Sequence, residues 1–275
     1  MSVSVLGEAE LDALVSPSSV TALATSHNLT IPHDELPDWS ILLSGLNACP
    51  KQILSLSDYH PIVDPSLHPR TSIYRPSGPI DTDEGGWAWK CNVRCTKPTS
   101  DLLKGKTLAI KDNVDMVAGI PCLNGNDAVD WILKVNATVV TRILDAGGVI
   151  LGKAACENNC FGARHIHNRP SPQSSAHGYS TGGSLSGSGR LLASNTVDLA
   201  IGADQGGSIR LPSANCGVVG LKPTWGLVPY TGGINLEATI DHVGPMAENV
   251  QDCATLLEVI AGTDGIDDRQ PYDLK

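Results

Sequence analysis

Aromatic side chains are scarce in this chain, with one Phe, five Tyr and five Trp among 275 residues. So few stacking platforms argue against a single-stranded nucleic-acid binder. Basic residues are also short: 19 Lys and Arg face 29 Asp and Glu, a net charge of −10. Neutralising phosphates takes clustered cations, so nucleic acid and anionic membrane are both disfavoured as partners. No apolar run approaches the ~18 residues that a membrane span needs. The N-terminus has neither the basic n-region nor the apolar h-region of a secretory signal, so a reducing, cytoplasmic setting is expected. The sequons at Asn28 and Asn136 are then incidental.

What is present is a globular composition: 41% hydrophobic, 17% charged, 28 Gly and 18 Pro. That excludes bulk disorder and coiled coil, and the length suits one or two domains. Eight Cys, at 49, 91, 95, 122, 156, 160, 216 and 253, are scattered and read as small buried hydrophobes. Cys91/Cys95 and Cys156/Cys160 are C-x3-C pairs, but no His in ligand spacing completes either one. His165 and His167 sit in a loop beside Arg164 and Arg169 and read as solvated surface, so no metal is expected.

Residues 8–58 carry helical periodicity. Ser16 is placed to cap a helix with Pro17 at its first position, and Ile31-Pro32 ends it; Gly45 weakens a second helix around Ile41–Leu46. Residues 61–98 hold Pro61, Pro65, Pro69, Pro76, Pro79 and Gly85-Gly86, which argues against regular structure and for a surface segment, here bounded at 61–104. Residues 1–60 then form an N-terminal helical segment packed on a body of 105–275. The body opens with a buried strand, Thr107–Ile110, that delivers Lys111 at its end. A helix over 136–146 stopped by Gly147, strands at 149–151 and 197–201, and a helix opened by Asn249 and Asp252 follow. Strands alternating with helices imply an α/β sheet.

Gly147-x4-Gly152-Lys153 imitates a phosphate-binding loop, but Ala154 follows the Lys and the order is helix, turn, strand, which aims no helix N-terminus at a phosphate. The Gly/Ser-rich run 178–189 leads into an apolar segment and a strand, so it is not a linker. Two Gly-rich elements, around Ser184 and over 202–208, bracket one buried strand, and consecutive glycines before Ser208 let several N–H groups point at one spot, as an oxyanion requires. No Ser-His-Asp arrangement is apparent, because His165, His167 and His177 read as loop and His242 has no orienting acid. A lysine can serve as base if burial keeps it neutral. Lys111 is the one lysine placed for that, although taken alone the reading as a salt-bridged strand-end residue is favoured.

These residues resemble the amidase signature family. Three elements occur in the family's order: Ala109-Ile-Lys-Asp-Asn-Val114, Gly182-Gly-Ser-Leu-Ser-Gly187 and the block from Ala203 to Thr224. Ser184 and Ser208 stand 24 positions apart, as the family's paired serines do. The resemblance runs from about residue 105 to Gln270. It implies an α/β fold with a mixed sheet flanked by helices, partial at its C-terminal end because family members continue well beyond 267–271. It also implies an amidase without cofactor or metal, acting on a small-molecule amide, with Ser208 as nucleophile, Ser184 as bridging serine on a cis peptide and Lys111 as ultimate base. The backbone N–H groups of Gln205, Gly206, Gly207 and Ser208 would hold the oxyanion, with Asp204 and Arg210 as a supporting ion pair.

The chain departs from the family's pattern at Leu185, where a second serine is usual, at Arg190, where a small residue is usual, and over 165–177. Two other readings accompany hydrolysis: an impaired amidase-like binding or scaffold protein, and an amide-transferring subunit of a complex. A homo-oligomer or a covering partner is the associated expectation.

Overall fold

The computed structural model describes residues 15–55, 63–113, 117–126, 131–160 and 180–271, with the side chains of 49–55 left aside. It divides into two compact units, 1–60 and 61–275. In the first, α1 (Pro17–Ser26) and α2 (Leu36–Ser55) pack together. The Ser16 side chain accepts the Ser19 N–H, satisfying one of the donors that a helix start leaves free, and Pro17 occupies a position that needs no N–H. The Val15 N–H donates to Ser44 Oγ at 2.7 Å, tying the entry of α1 to α2. Helix α2 runs through Gly45 without a break, a cost of about 1 kcal/mol relative to alanine.

The second unit contains β1 (Arg70–Tyr74), α3 (Gly78–Asp81), β2 (Trp87–Val93), β3 (Thr107–Lys111), β4 (Pro121–Cys122), β5 (Trp131–Ile132), α4 (Thr138–Asp145) and β6 (Val149–Ala154). A short 3-10 turn (Asn158–Cys160) follows, then α5 (Ser186–Ala193), β7 (Leu199–Asp204), α6 (Arg210–Cys216), β8 (Val219–Gly220), β9 (His242–Ala247) and α7 (Val250–Ile260). Seven strands form one mixed sheet in the order β1-β2-β6-β3-β7-β9-β8, and β4 pairs with β5 apart from it. The central trio β6-β3-β7 is parallel; β1, β2, β9 and β8 join antiparallel.

The strands β1 and β2 correct the expectation that 61–98 lacks regular structure. Its prolines stand outside the strands: Pro69 precedes β1, Pro76 and Pro79 lie between, and Pro98 follows β2. No ladder hydrogen bond is lost to them. Within β2, Trp87, Cys91 and Val93 are buried, which supplies the apolar face that composition had masked.

Alternation along β3 and β7 sorts the core. Leu108, Ile110, Leu199, Ile201 and Ala203 meet Val140, Ile143 and Leu144 of α4 and Leu256 and Ile260 of α7 on one face. Ala109 and Ala200 meet Leu185, Leu191, Leu192 and Ile209 on the other, under α5. By the same alternation Lys111 belongs to the α5 side. That side is built from small residues because the segment leading into α5 comes close. A Cβ added to Gly202 would overlap Leu185 Cδ2, and Leu185 is wholly buried. Gly202→Ala therefore forces Leu185 or the sheet to shift, with an expected cost of about 1–3 kcal/mol; urea unfolding checks it, and an unchanged midpoint would show that the groove has slack.

Candidate active site

The carboxyl ends of parallel strands lie along one edge of a sheet, the usual place for a site. Here three neighbouring ends deliver chemistry: β3 ends in Lys111, β6 leads into Cys156, Glu157 and Cys160, and β7 ends in Asp204 before the turn to Ser208. Lys111 and Ser184 are both fully buried, and Lys111 Nζ donates to Ser184 Oγ at 2.8 Å. The Gly183–Ser184 peptide is cis. Gly182 backs onto Leu211 and Asn215, so the loop carrying Ser184 lies against α6, the helix that follows Ser208. Ser208 itself is half-exposed.

The turn before Ser208 is organised by one carboxylate. Asp204 accepts the N–H groups of Gly207 at 2.8 Å, Ile209 at 3.2 Å and Arg210 at 3.4 Å. Its two oxygens also accept Arg210 Nε at 3.0 Å and Nη2 at 2.9 Å, a bidentate pair. Burial works to raise the Asp204 pKa, but the Arg210 guanidinium and the Gly207 N–H outweigh it and hold the carboxyl below its usual range. Gly207 takes φ 126°, which a side chain would strain. Its N–H is given to Asp204, which takes Gly207 out of the four N–H groups expected to face an oxyanion. Gln205 Nε2 donates to the Tyr230 hydroxyl at 3.3 Å, and the Arg269 guanidinium stacks 4.6 Å from the Tyr230 ring centroid.

Around Lys111 stand groups that sequence reasoning passed over. Lys153 Nζ donates to the Asp112 backbone carbonyl at 2.8 Å, and the Asp112 carboxylate accepts the Leu123 N–H at 3.0 Å. Burial raises the Asp112 pKa against the opposing pull of Lys153. The Asn113 amide donates to Cys160 Sγ. Burial would raise the Cys160 thiol, but hydrogen bonds from Cys156 and Lys111 bring it down to about 6. Asp112 and Asn113 follow Lys111 directly in the chain, and Glu157 stands between two cysteines; adjacency was the available signal.

Two histidines of the second unit, His68 and His242, are engaged away from Lys111. His68 Nε2 pairs with Asp145 Oδ1 at 3.2 Å, and His242 contacts the Ile240 carbonyl and Lys222 Nζ. The candidates His165, His167 and His177 lie outside the described residues. One grouping able to hold a metal joins His68, Cys95 and Asp145, with ligand atoms within 4.8 Å of one another. Spacing around Cys91/Cys95 could not reveal it, because the histidine arrives from before β1 and the carboxylate from the end of α4. It shares no residue with the Lys111 cluster. Of the two departures that the structure describes, Leu185 is core, and Arg190 pairs with Asp83 at 3.2 Å and Glu84 at 3.3 Å.

The family model for Amidase matches residues 87–274. The chain belongs to the amidase family. An enantioselective amidase of Rhodococcus rhodochrous is 49% identical over 188 residues, covering 66% of this chain and 36% of that enzyme. A glutamyl-tRNA(Gln) amidotransferase subunit from Natronomonas pharaonis is 40% identical over 179 residues, covering 61% of this chain and 40% of that protein. The peptide amidase of Stenotrophomonas maltophilia superposes with TM-score 0.55 at 36% identity, over 60% of this chain and 35% of that one. The chain thus spans little more than a third of the length of the amidases it matches. Over the superposed part, the mixed sheet flanked by helices described above matches the peptide amidase. Among the described residues no helix is long and apolar enough to cross a membrane.

The Asp204 turn yields a stability prediction. Asp204→Asn weakens the Arg210 pair and the N–H acceptors, with an expected loss of about 1–3 kcal/mol at neutral pH. Because the folded-state pKa is depressed, this stabilisation is present above the unfolded value of about 3.9 and is lost as pH falls through the folded value. Urea unfolding should show the gap between wild type and variant narrowing between neutral pH and about pH 3; a constant gap would contradict the ion-pair account.

Proposed function

We propose that this amidase-family chain hydrolyses a small-molecule carboxylic amide through an acyl-enzyme on Ser208. The observation that supports this most is the hydrogen bond between buried Lys111 and buried Ser184, whose loop lies against the helix that follows Ser208. Ser208 Oγ attacks the amide carbonyl and passes its proton to Ser184, whose own proton goes to the Lys111 amine. The N–H groups of Gln205, Gly206 and Ser208 hold the oxyanion. Ser184 then protonates the leaving ammonia or amine and recovers a proton from Lys111, and water releases the acid. Asp204 and Arg210 keep the turn in shape without touching the substrate. A cytoplasmic setting accords with free, buried cysteines.

A second reading, an amide-transferring subunit of a complex, is favoured by the amidotransferase relatives. Co-purification with stoichiometric partners and no free hydrolysis would select it.

The test is intact mass after incubating wild type, Ser208→Ala and Lys111→Ala with a fluorophosphonate, a reagent for activated serines. One adduct is expected on wild type, none on Ser208→Ala, and labelling of Lys111→Ala slowed by about 10²- to 10⁴-fold. An adduct that survives Ser208→Ala, or no adduct on folded wild type, would overturn the reading.

A further inference from the structure

At the same sheet edge stands a carboxyl group to which the relay assigns no task. Glu157, three residues past β6, is 1% exposed, and among the described residues no full hydrogen bond reaches either of its carboxylate oxygens. Its backbone N–H donates to the Ser184 carbonyl at 3.4 Å, so it is tied to the segment that carries the bridging serine. The groups that face it are Lys111 from β3, the Ser186 hydroxyl from α5 and Cys160 from its own turn. The other buried lysine, Lys153, is engaged with Asp112.

A buried ion without an opposite charge is costly, and removing one member of a buried pair leaves the other uncompensated. Lys111 becomes such an ion at the moment the relay works. We propose that Glu157 is a positioning residue of the relay, the counter-charge that holds the Lys111 ammonium formed when Ser184 hands on its proton. The inference rests on the relay proposed above. In that step the Ser208 O–H bond breaks, and its electron pair forms the new bond to the carbonyl carbon. The proton moves to Ser184, and the Ser184 proton moves to Lys111 Nζ. Glu157 neither gains nor loses a proton and acts as the third group of a triad does toward its base. Burial pushes its pKa up to about 7, against the opposing effects of its own N–H, Ser186 and Lys111, so its charge is present above neutrality and disappears as pH falls through that value.

The experiment is the pH dependence of the fluorophosphonate labelling rate at Ser208 in wild type, Glu157→Gln and Cys160→Ser, with Ser208→Ala as blank. The wild-type rate should fall as pH drops through about 7. Glu157→Gln should abolish that fall and slow labelling above it by roughly ten- to a hundred-fold. Wild-type kinetics in the Gln variant, or slowing with the pH dependence unmoved, would overturn the inference while leaving the relay standing. So would a pH dependence moved by Cys160→Ser and not by Glu157→Gln, which would give the counter-charge to the thiol. If the Gln variant does not fold, wild type decides: a rate flat through pH 7 overturns the inference. Folded wild type that never labels at Ser208 overturns relay and counter-charge together.

Discussion

Two lysine side chains, Lys111 and Lys153, end inside this protein wholly removed from water, and much of the surrounding chain is arranged to meet them. An amine brought out of water needs acceptors in its first contact shell, because an unsatisfied polar group in the interior costs several kcal/mol. Lys153 finds the Asp112 carbonyl, and Lys111 finds Ser184 Oγ. Each acceptor belongs to a loop at the carboxyl end of the sheet. The turn that begins at Asp112 is itself held through the carboxylate of that residue, which accepts the Leu123 N–H. Each buried amine is thus tied to a segment at that edge, Lys153 to Asp112 and Lys111 to Ser184.

The sheet makes this burial feasible. Three parallel strands side by side bring Lys111, the Glu157 turn and the Ser208 turn to one edge, and helix α5 covers them from one face. That face of β3 and β7 is lined by Ala109, Ala200 and Gly202, where the opposite face carries Leu108, Ile110, Leu199 and Ile201. Small residues let the Ser184 segment descend until Leu185 occupies the groove over Gly202. A serine at 185 would add a hydroxyl near the relay and remove that filling; leucine trades the hydroxyl for packing. Arg190 has a local compensation too, since Asp83 and Glu84 approach it from the turn after α3.

Elements whose signal is local were legible in the sequence. Ser16-Pro17 caps α1 and Asn249 accepts the Asp252 N–H at the start of α7, because a cap needs only residues three apart. The buried strand ending at Lys111 was legible from its continuous apolar run. In contrast, β1 and β2 were hidden by prolines that sit between elements, and composition over a window cannot distinguish a proline beside a strand from one within it. Lys111 stood out as a lysine at the end of a buried strand and Ser208 by the glycines before it, while Ser184 and the roles of all three came from the family resemblance. Glu157 could not be nominated, since the β6–β3 pairing that sets Ala154 opposite Lys111 brings the turn after β6 to that edge. The His68, Cys95 and Asp145 grouping was illegible for the same reason, as its members approach from three separate elements.

Two carboxyl groups at this edge are driven in opposite directions, and the contrast separates their roles. Asp204 is fully buried, yet the Arg210 fork and three backbone N–H groups hold its carboxyl below the usual range, so it is charged at neutral pH. A fixed charge can hold a turn but cannot respond to chemistry beside it. Glu157 is as deeply buried but has no such set of donors, so burial dominates and its ionisation lies near neutrality. A carboxyl poised there gains most from a neighbouring positive charge when one forms, and Lys111 is where the proposed relay would form one. When environments push like groups apart in this way, the strongly held one belongs to the scaffold and the poised one to the reaction.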